Sequence, residues 1–376
     1  MLPFANLSGD KEQEYFSDGL AEEIINALSQ ISGLRVIART SAFAFRGQNT
    51  DIRRIAETLG VANILEGSVR RSGNRIRVTV QLISASNGSH LWSERFDREM
   101  ADVFAVQDEI SAAISEALKV RLSPQAAARP RHKPTLPAYE ALLKARHVHW
   151  KATAESMDQA RLFHEQAVAL DPKYALAHAL YAEHLLGRAA MGYSPMREVA
   201  PAIRNLAQKA LELDPDIDEA HGALCVLAAT YDYDWHEAGR QFALATLGGR
   251  GSPLVQFDCG VFYFLGSGRL QEAVEQLQMA VQADPLNLMY RSMLALSQVW
   301  MGRNEDAEEL LLQSQDLDSN FLLTGTHLAT LHTSRQKFAE ALPVRREGVF
   351  SGASSLAECC DLCGTVDSHR RASPRT

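Results

Sequence analysis

Ala273, Ala307 and Ala341 stand 34 residues apart, and so do two of the turns that mark the second half of the chain. Those turns read ALDP at 169–172, ELDP at 212–215, QADP at 282–285 and DLDS at 316–319. A period of this length describes a helix–turn–helix unit that cannot bury its apolar face alone, so neighbouring units must stack. Alanine is needed where the two helices of a unit cross closely. The Asp-Pro pair stops the second helix before the next unit begins. Helix pairs are expected at 138–170, 174–213, 217–247, 253–283, 287–317 and 320–349. The second has a long internal connection around AAMGYSP, and the third closes on GGRGSP instead of Asp-Pro.

Residues 1–122 follow other periods. Leu2 to Asn6 predicts a buried strand running into a turn at Ser8-Gly9-Asp10. Leu20, Ile24, Ala27, Leu28 and Ile31 form one stripe of a helix over 18–31, with Ser17 or Asp18 as its N-cap. A strand is expected at 34–38, then a loop with two exposed aromatics, Phe43 and Phe45. A second helix spans 51–60, capped by Asp51 and ended by Gly60. Strands follow at 62–71, 75–85 and 90–96. The middle one alternates Ile76, Val78, Val80 and Leu82 against Arg75, Arg77, Thr79 and Gln81. Ser72-Gly73-Asn74 and Asn87-Gly88 predict hairpin turns, the second of type I′. A long helix over 102–121 closes the region. The order β-α-β-α-β-β-β-α predicts an α+β sandwich, followed by an all-α superhelix.

The intervening SPQAAARPRHKPTLP, 123–137, is proline-rich and reads as an extended linker. Net charge is −8 over 376 residues, which disfavours non-specific nucleic-acid binding by the whole chain. No run reaches the roughly 18 apolar residues of a membrane helix, and the first twenty residues carry acids where a secretory signal needs a basic and then an apolar stretch. As written, the chain is expected in the cytoplasm, or in the periplasm if it belongs to a membrane-anchored parent.

LPFANLSGDKEQEYFSDGLAEEI, LRVIARTSAFAFRG, ILEGSVRRSGNRIRVTVQLI and HLWSERFDREMADVFAVQDEI resemble, in that order, the TolB amino-terminal-like domain, over almost all of 1–122. The segments YFLGSGRLQEAVEQLQMAVQADP and WMGRNEDAEELLLQSQDLD closely resemble tetratricopeptide repeats, and the resemblance extends over about 138–349. The first resemblance implies a non-catalytic domain that follows an effector such as an adenylate/guanylate cyclase, winged-helix or kinase domain. The second implies a concave face that binds peptides or proteins. Together they imply a protein-interaction scaffold without catalytic, cofactor or metal residues. The alternative is the regulatory part of a cyclase or winged-helix regulator whose effector lies elsewhere. LPFANLSGD matches the start of the first block, so Met1 is expected to fall at a cut edge.

Tyr231, Tyr233, Trp235, Tyr263 and Trp300 are the candidate partner-binding residues, placed on the concave face of the array. The other chemistry-bearing residues read as structural. Cys360-Asp-Leu-Cys363 lacks the second pair of ligands that a zinc site needs. His147 and His149 are about 200° apart on a helix and cannot share a metal. His164, His178 and His184 read as scattered surface or interface residues. Arg70, Arg71, Arg75 and Arg77 read as a solvated basic hairpin. Trp92, Phe96 and Phe104, like Phe43 and Phe45, read as core. Cys225 and Cys259 read as packed thiols. The period is lost at Arg345, which predicts a departure from the natural repeat near Val344 and an aberrant or disordered tail at 350–376.

Overall fold

The alternation of residues 75–84 fixes one face of a sheet. Ile76, Val78, Val80 and Leu82 are all buried. In the computed structural model, which describes residues 1–29, 31, 33–48, 50–118, 132–149, 153–247 and 251–337, they lie on β3 (Arg75–Ser84). β3 pairs antiparallel with β2 (Asn63–Ser72) and β4 (His90–Glu99), setting Val69 and Phe96 on either side of Val78. β1 (Ala5–Asn6) runs parallel to β2 and completes the order β1-β2-β3-β4. Gly67 of β2 leaves room for Phe4, whose ring atom Cε1 lies 2.7 Å from where a Cβ would stand.

Two amphipathic helices cover this face. Leu20, Ile24 and Leu28 of α1 (Glu14–Ser29) and Val103, Val106, Ile110 and Ile114 of α4 (Val103–Ala117) are all buried in the same core. Each such leucine or isoleucine contributes about 2 kcal/mol of burial. The sheet has a second, smaller cover. Ile64, of opposite parity to Leu65, packs with Ile55, Ala56 and Leu59 of α3 (Ile52–Leu59). Asp51 caps α3 by accepting from the Arg53 amide, and Gly60 ends it at φ 62°.

Several local expectations fail for identifiable reasons. The segment 34–38 is extended but joins no sheet, because Ile37 is buried by α3 rather than by a neighbouring strand. Residues 39–43 form a short helix, α2 (Arg39–Phe43), and Phe43 is half-buried beneath the guanidinium of Arg39 at 4.3 Å. Ser17 and Asp18 are not caps. The chain enters α1 earlier, through a 3₁₀ turn at Lys11–Gln13 whose cap is Asp10. Asn87-Gly88 is not a type I′ turn, since Gly88 has φ 71° but Asn87 is not among the positive-φ residues. The connection from Ser84 to His90 is longer than two residues and is accompanied by a register shift at Leu82/Ile83.

Helical hairpins follow. They pair α5 (Leu136–His149) with α6 (Ala154–Leu170), and α7 (Ala175–Ala190) with α8 (Met196–Leu213). α9 (Asp218–Leu227) pairs with α10 (Trp235–Ala245), and α11 (Pro253–Asp258) with α12 (Leu270–Ala283). Both α9 and α11 continue into π turns, Ala228–Asp232 and Cys259–Leu265. Ala167, Ala207, Ala273 and Ala280 are fully buried where helices cross.

The chain divides into two compact units, Met1–Asn287 and Leu288–Thr376. The α/β region and the first four hairpins thus share one unit, and the division does not fall at the proline-rich segment. Within the second unit, α13 (Leu288–Trp300) and α14 (Asn304–Leu317) form a hairpin, and α15 (Leu322–Ser334) packs Leu328 and Leu331 against it. The expected second helix after α15, the tail after Val344, the CDLC motif and most of the linker lie outside the described residues.

Candidate interaction surfaces

The third hairpin turns on YDYDW, 231–235. α9 widens into its π turn, and Thr230 returns its hydroxyl to the Val226 carbonyl at 2.7 Å. Tyr233 then adopts the left-handed conformation at φ 56°, ψ 29°, which an L residue other than glycine takes at a cost of about 1–2 kcal/mol. The strain is held on both sides. Asp234 caps α10 by accepting from the Glu237 amide at 2.9 Å, and Arg204 of α8 grips Asp232 with two contacts of 2.7 and 2.8 Å.

The turn lifts aromatic side chains into solvent. Tyr231 is 40%, Tyr233 73% and Trp235 39% exposed. Tyr263 is only 6% exposed, so it supports the surface rather than forming it. Its ring stacks on Trp235 with centroids 6.5 Å apart, and its hydroxyl accepts from Arg269 at 2.8 Å. Tyr231, Tyr233 and Trp235 therefore stand where α9 and its π turn give way to α10. Trp300 closes α13 in the other unit and is 51% exposed.

A second feature was not anticipated. Glu183 of α7, Glu219 of α9 and Asp258 of α11 line a narrow crevice floored by Leu186, Gly222 and Val255. Close packing makes it narrow: a Cβ on Gly222 would lie 2.8 Å from Val255 Cγ2. Burial, reinforced by Asp258, pushes the Glu183 carboxyl up to about 8. Burial pushes Asp258 up to about 7 and, with Asp218 beside it, raises Glu219 well above the usual range. The legible signal was acids set among buried residues, as in Ala182-Glu183-His184.

His164 and His184 are not scattered, whereas His178 stands apart with its Nε2 3.0 Å from the Pro172 carbonyl. His149, His164 and His184 meet between α5, α6 and α7, with His149 Nδ1 3.0 Å from His184 Nδ1 and the His164 and His184 rings 5.0 Å apart. Burial lowers His149 to about 4 and His184 to about 3, so the cluster is neutral. Among the described residues no group of three or more His, Cys, Asp or Glu side chains is arranged to hold a metal ion.

Charges join the α/β region to α5. Arg146 pairs with Glu22 at 2.7 Å and with Glu23. Asp18 contacts Arg39, Arg46 and, at 3.2 Å, His147. Burial alone would raise Asp18, but hydrogen bonds from His147 and Arg46 hold its carboxyl below the usual range. In the basic hairpin, Arg71 is engaged by Glu140 at 2.7 Å, Arg77 by Asp97 at 2.6 Å, and Arg70 by the Leu7 carbonyl at 3.2 Å.

Comparison with known proteins gives two sequence matches. Residues 1–113 match the family model of the HilA/YgeH-like transcriptional regulator, second domain, a different family from the TolB-like one expected there. A Rhizobium meliloti (strain 1021) protein named "Putative adenylate cyclase 3" is 47% identical over 181 residues, which is 48% of this chain and 31% of that protein. The chain thus spans about a third of that relative's length. Helical-repeat proteins are found among solved structures. PilF of Pseudomonas aeruginosa has a TM-score of 0.39 at 22% identity, covering 48% of this chain and 78% of its own. The pilus biogenesis factor PilW has 0.43 at 17%, covering 58% and 98%. YrrB, a TPR protein, has 0.37 at 14%, covering 53% and 97%.

Proposed function

We propose that this chain is a non-catalytic interaction module of a signalling protein, and that it binds a protein partner through its helical array. The observation that carries the reading is the YDYDW turn. Tyr and Trp dominate binding hot spots because they offer large, stiff contact area. Backbone strain held at an exposed position is a pointer to function. Tyr231, Tyr233 and Trp235 form the contact, Tyr263 supports it, and Trp300 offers a separate one. In this reading residues 1–122 are the α/β part, 123–137 the connection and 138–349 the binding array.

The second reading rests on the Rhizobium meliloti relative. Its name refers to a cyclase and about two thirds of its length lies beyond the match. Cyclase chemistry then belongs to another region, and this chain regulates it. No helix among the described residues is long and apolar enough to cross a membrane.

The test uses the full chain as bait in affinity capture. A partner held by the wild type should be lost by Tyr233→Ala and Trp235→Ala and kept by a Leu162→Ala control. Equal capture by all three variants overturns the assignment. Sustained conversion of ATP to cyclic AMP by the purified chain would overturn the non-catalytic reading.

A further inference from the structure

Four turns of the array close a second helix with aspartate, and in three of them the aspartate accepts an amide of its own turn. The Oδ1 of Asp171, Asp214 and Asp318 accepts the amide two residues further on, from Lys173 at 3.1 Å, Asp216 at 3.1 Å and Asn320 at 2.9 Å. At Asp284 the same bond is interrupted. The amide two residues on, Leu286, donates instead to Ser41 Oγ at 2.7 Å. The Ser41 hydroxyl and amide both donate to Asp284 Oδ1, the amide at 2.8 Å. A serine of the α/β region is thus inserted into a turn of the fourth hairpin. Around it, the Ala38 amide donates to the Ala283 carbonyl at 2.8 Å and Arg35 to the Gln282 carbonyl at 3.0 Å. Leu286 packs beside the cluster of Ile37 and Ile55.

This attachment differs in kind from the one at α5. Tyr139 and Leu143 of α5 belong to the same buried core as α1 and α4, so that contact is part of the fold of the α/β region. The attachment at 282–286 is mostly hydrogen bonds. Its polar groups also have a ready alternative: without Ser41, Asp284 can take back the Leu286 amide, as its three counterparts do. Asp284 and the Leu286 amide thus have a partner in either arrangement, which lowers the cost of breaking the contact on that side. Each hairpin of such an array contacts only its neighbours, so small rotations add up along it.

We infer that Ser41 and Asp284 form a latch. The α/β region is built permanently onto the first hairpin and fastened reversibly to the turn that follows the fourth. One turn with two bonded arrangements is the two-state element. Opening it lets the turn at 282–286 move away from Ser41 and α3 while the contact with α5 stays in place.

Ser41→Asp tests it by placing a carboxylate against Asp284. Hydrogen exchange at the amides of Ala38, Ser41 and Leu286 should speed up by about tenfold or more, while Tyr139 and the β2–β3 ladder keep their protection. Spin labels on ketone-bearing residues at 48 and 279 should move apart. Adding Asp284→Asn restores both readings, because the new amide donates to the new carboxylate. Unchanged exchange at the three amides overturns the latch. So does exchange, or loss of helical signal, that rises together across α1, α5 and the sheet, because the contact is then part of one cooperative core.

Discussion

Gly19 of α1 lies against Leu143 of α5 with no space for a side chain. A Cβ there would stand 2.5, 2.7 and 2.9 Å from Leu143 Cδ2, Cδ1 and Cγ. Leu143 is buried and cannot swing aside. Gly19→Ala is therefore expected to cost about 1–3 kcal/mol through overpacking. Leu143→Ala alone should cost about 2–5 kcal/mol through its cavity. The double variant should cost less than the sum, because each change accommodates the other. Denaturant titrations of the three variants check this, and strict additivity would show that the two residues do not press on each other.

The histidine cluster makes the fold acid-sensitive. His149 and His184 are lowered to about 4 and about 3, and His164 lies well below its ordinary value, in each case first by burial. The unfolded chain takes up protons near pH 6.5, where the folded chain does not. Stability from the neutral cluster is therefore complete above about pH 6.5 and is lost as pH falls toward 4, by up to about 1.4 kcal/mol per pH unit for each histidine. His164→Leu removes one of these groups, and with it an Nδ1 that is buried without a hydrogen-bond partner. Thermal melts from pH 7 to 4 should show a shallower decline for this variant.

The acidic crevice has the opposite sign. Glu183 and Asp258 hold their protons more tightly when folded, up to about 8 and about 7. Their contribution is complete below about pH 4 and is lost as pH rises through those values. Glu183→Gln should leave the melting temperature unchanged near pH 4. At pH 8 it should raise stability by on the order of 1 kcal/mol. A variant that is less stable at pH 8 would mean that the charged carboxylate is paired in solution.

Tyr233→Gly separates binding from folding. Glycine meets φ 56° without strain, and the tyrosine ring is mostly in solvent. Relief of the left-handed strain should outweigh the entropy of the added glycine and raise stability by about 0.5–1 kcal/mol. The same variant should lose the captured partner, a trade of binding for stability that neither effect alone would produce.

The hairpins were legible because their signals are local. The aspartate turns stop helices within the chain's own neighbourhood, and Ala273 and Ala307 are small for a contact inside their own unit. What was missed depends on residues far apart in sequence. His149 and His184 are 35 residues apart, one unit of the repeat, and aligning the units against each other would have paired them. Asp18 looked like a cap because Ser-Asp before an apolar stripe usually is one. The buried carboxylate is explained by Arg39 and Arg46, which follow α1, and by His147 of α5, which arrives 129 residues later. The segment 34–38 has strand composition, yet Ile37 is covered by α3, Leu34 and Val36 pack on the other core, and Arg35 and Ala38 bond to the carbonyls of Gln282 and Ala283. The aromatic residues were found by type, but the division between exposed Tyr233 and buried Tyr263 depends on where the two π turns end.

Ser41 meets Asp284 because a set number of hairpins separates the α/β region from that turn. Adding or deleting one hairpin between α6 and α11 would carry Asp284 a whole unit along the superhelix, and Ser41 would face a different turn or none. The α/β region therefore acts as a template that counts repeats, in the way a buckle sets the length of a belt. Repeat proteins usually gain and lose units freely at any junction. In this chain that freedom is suspended up to Asn287, and units added after it leave the closure untouched.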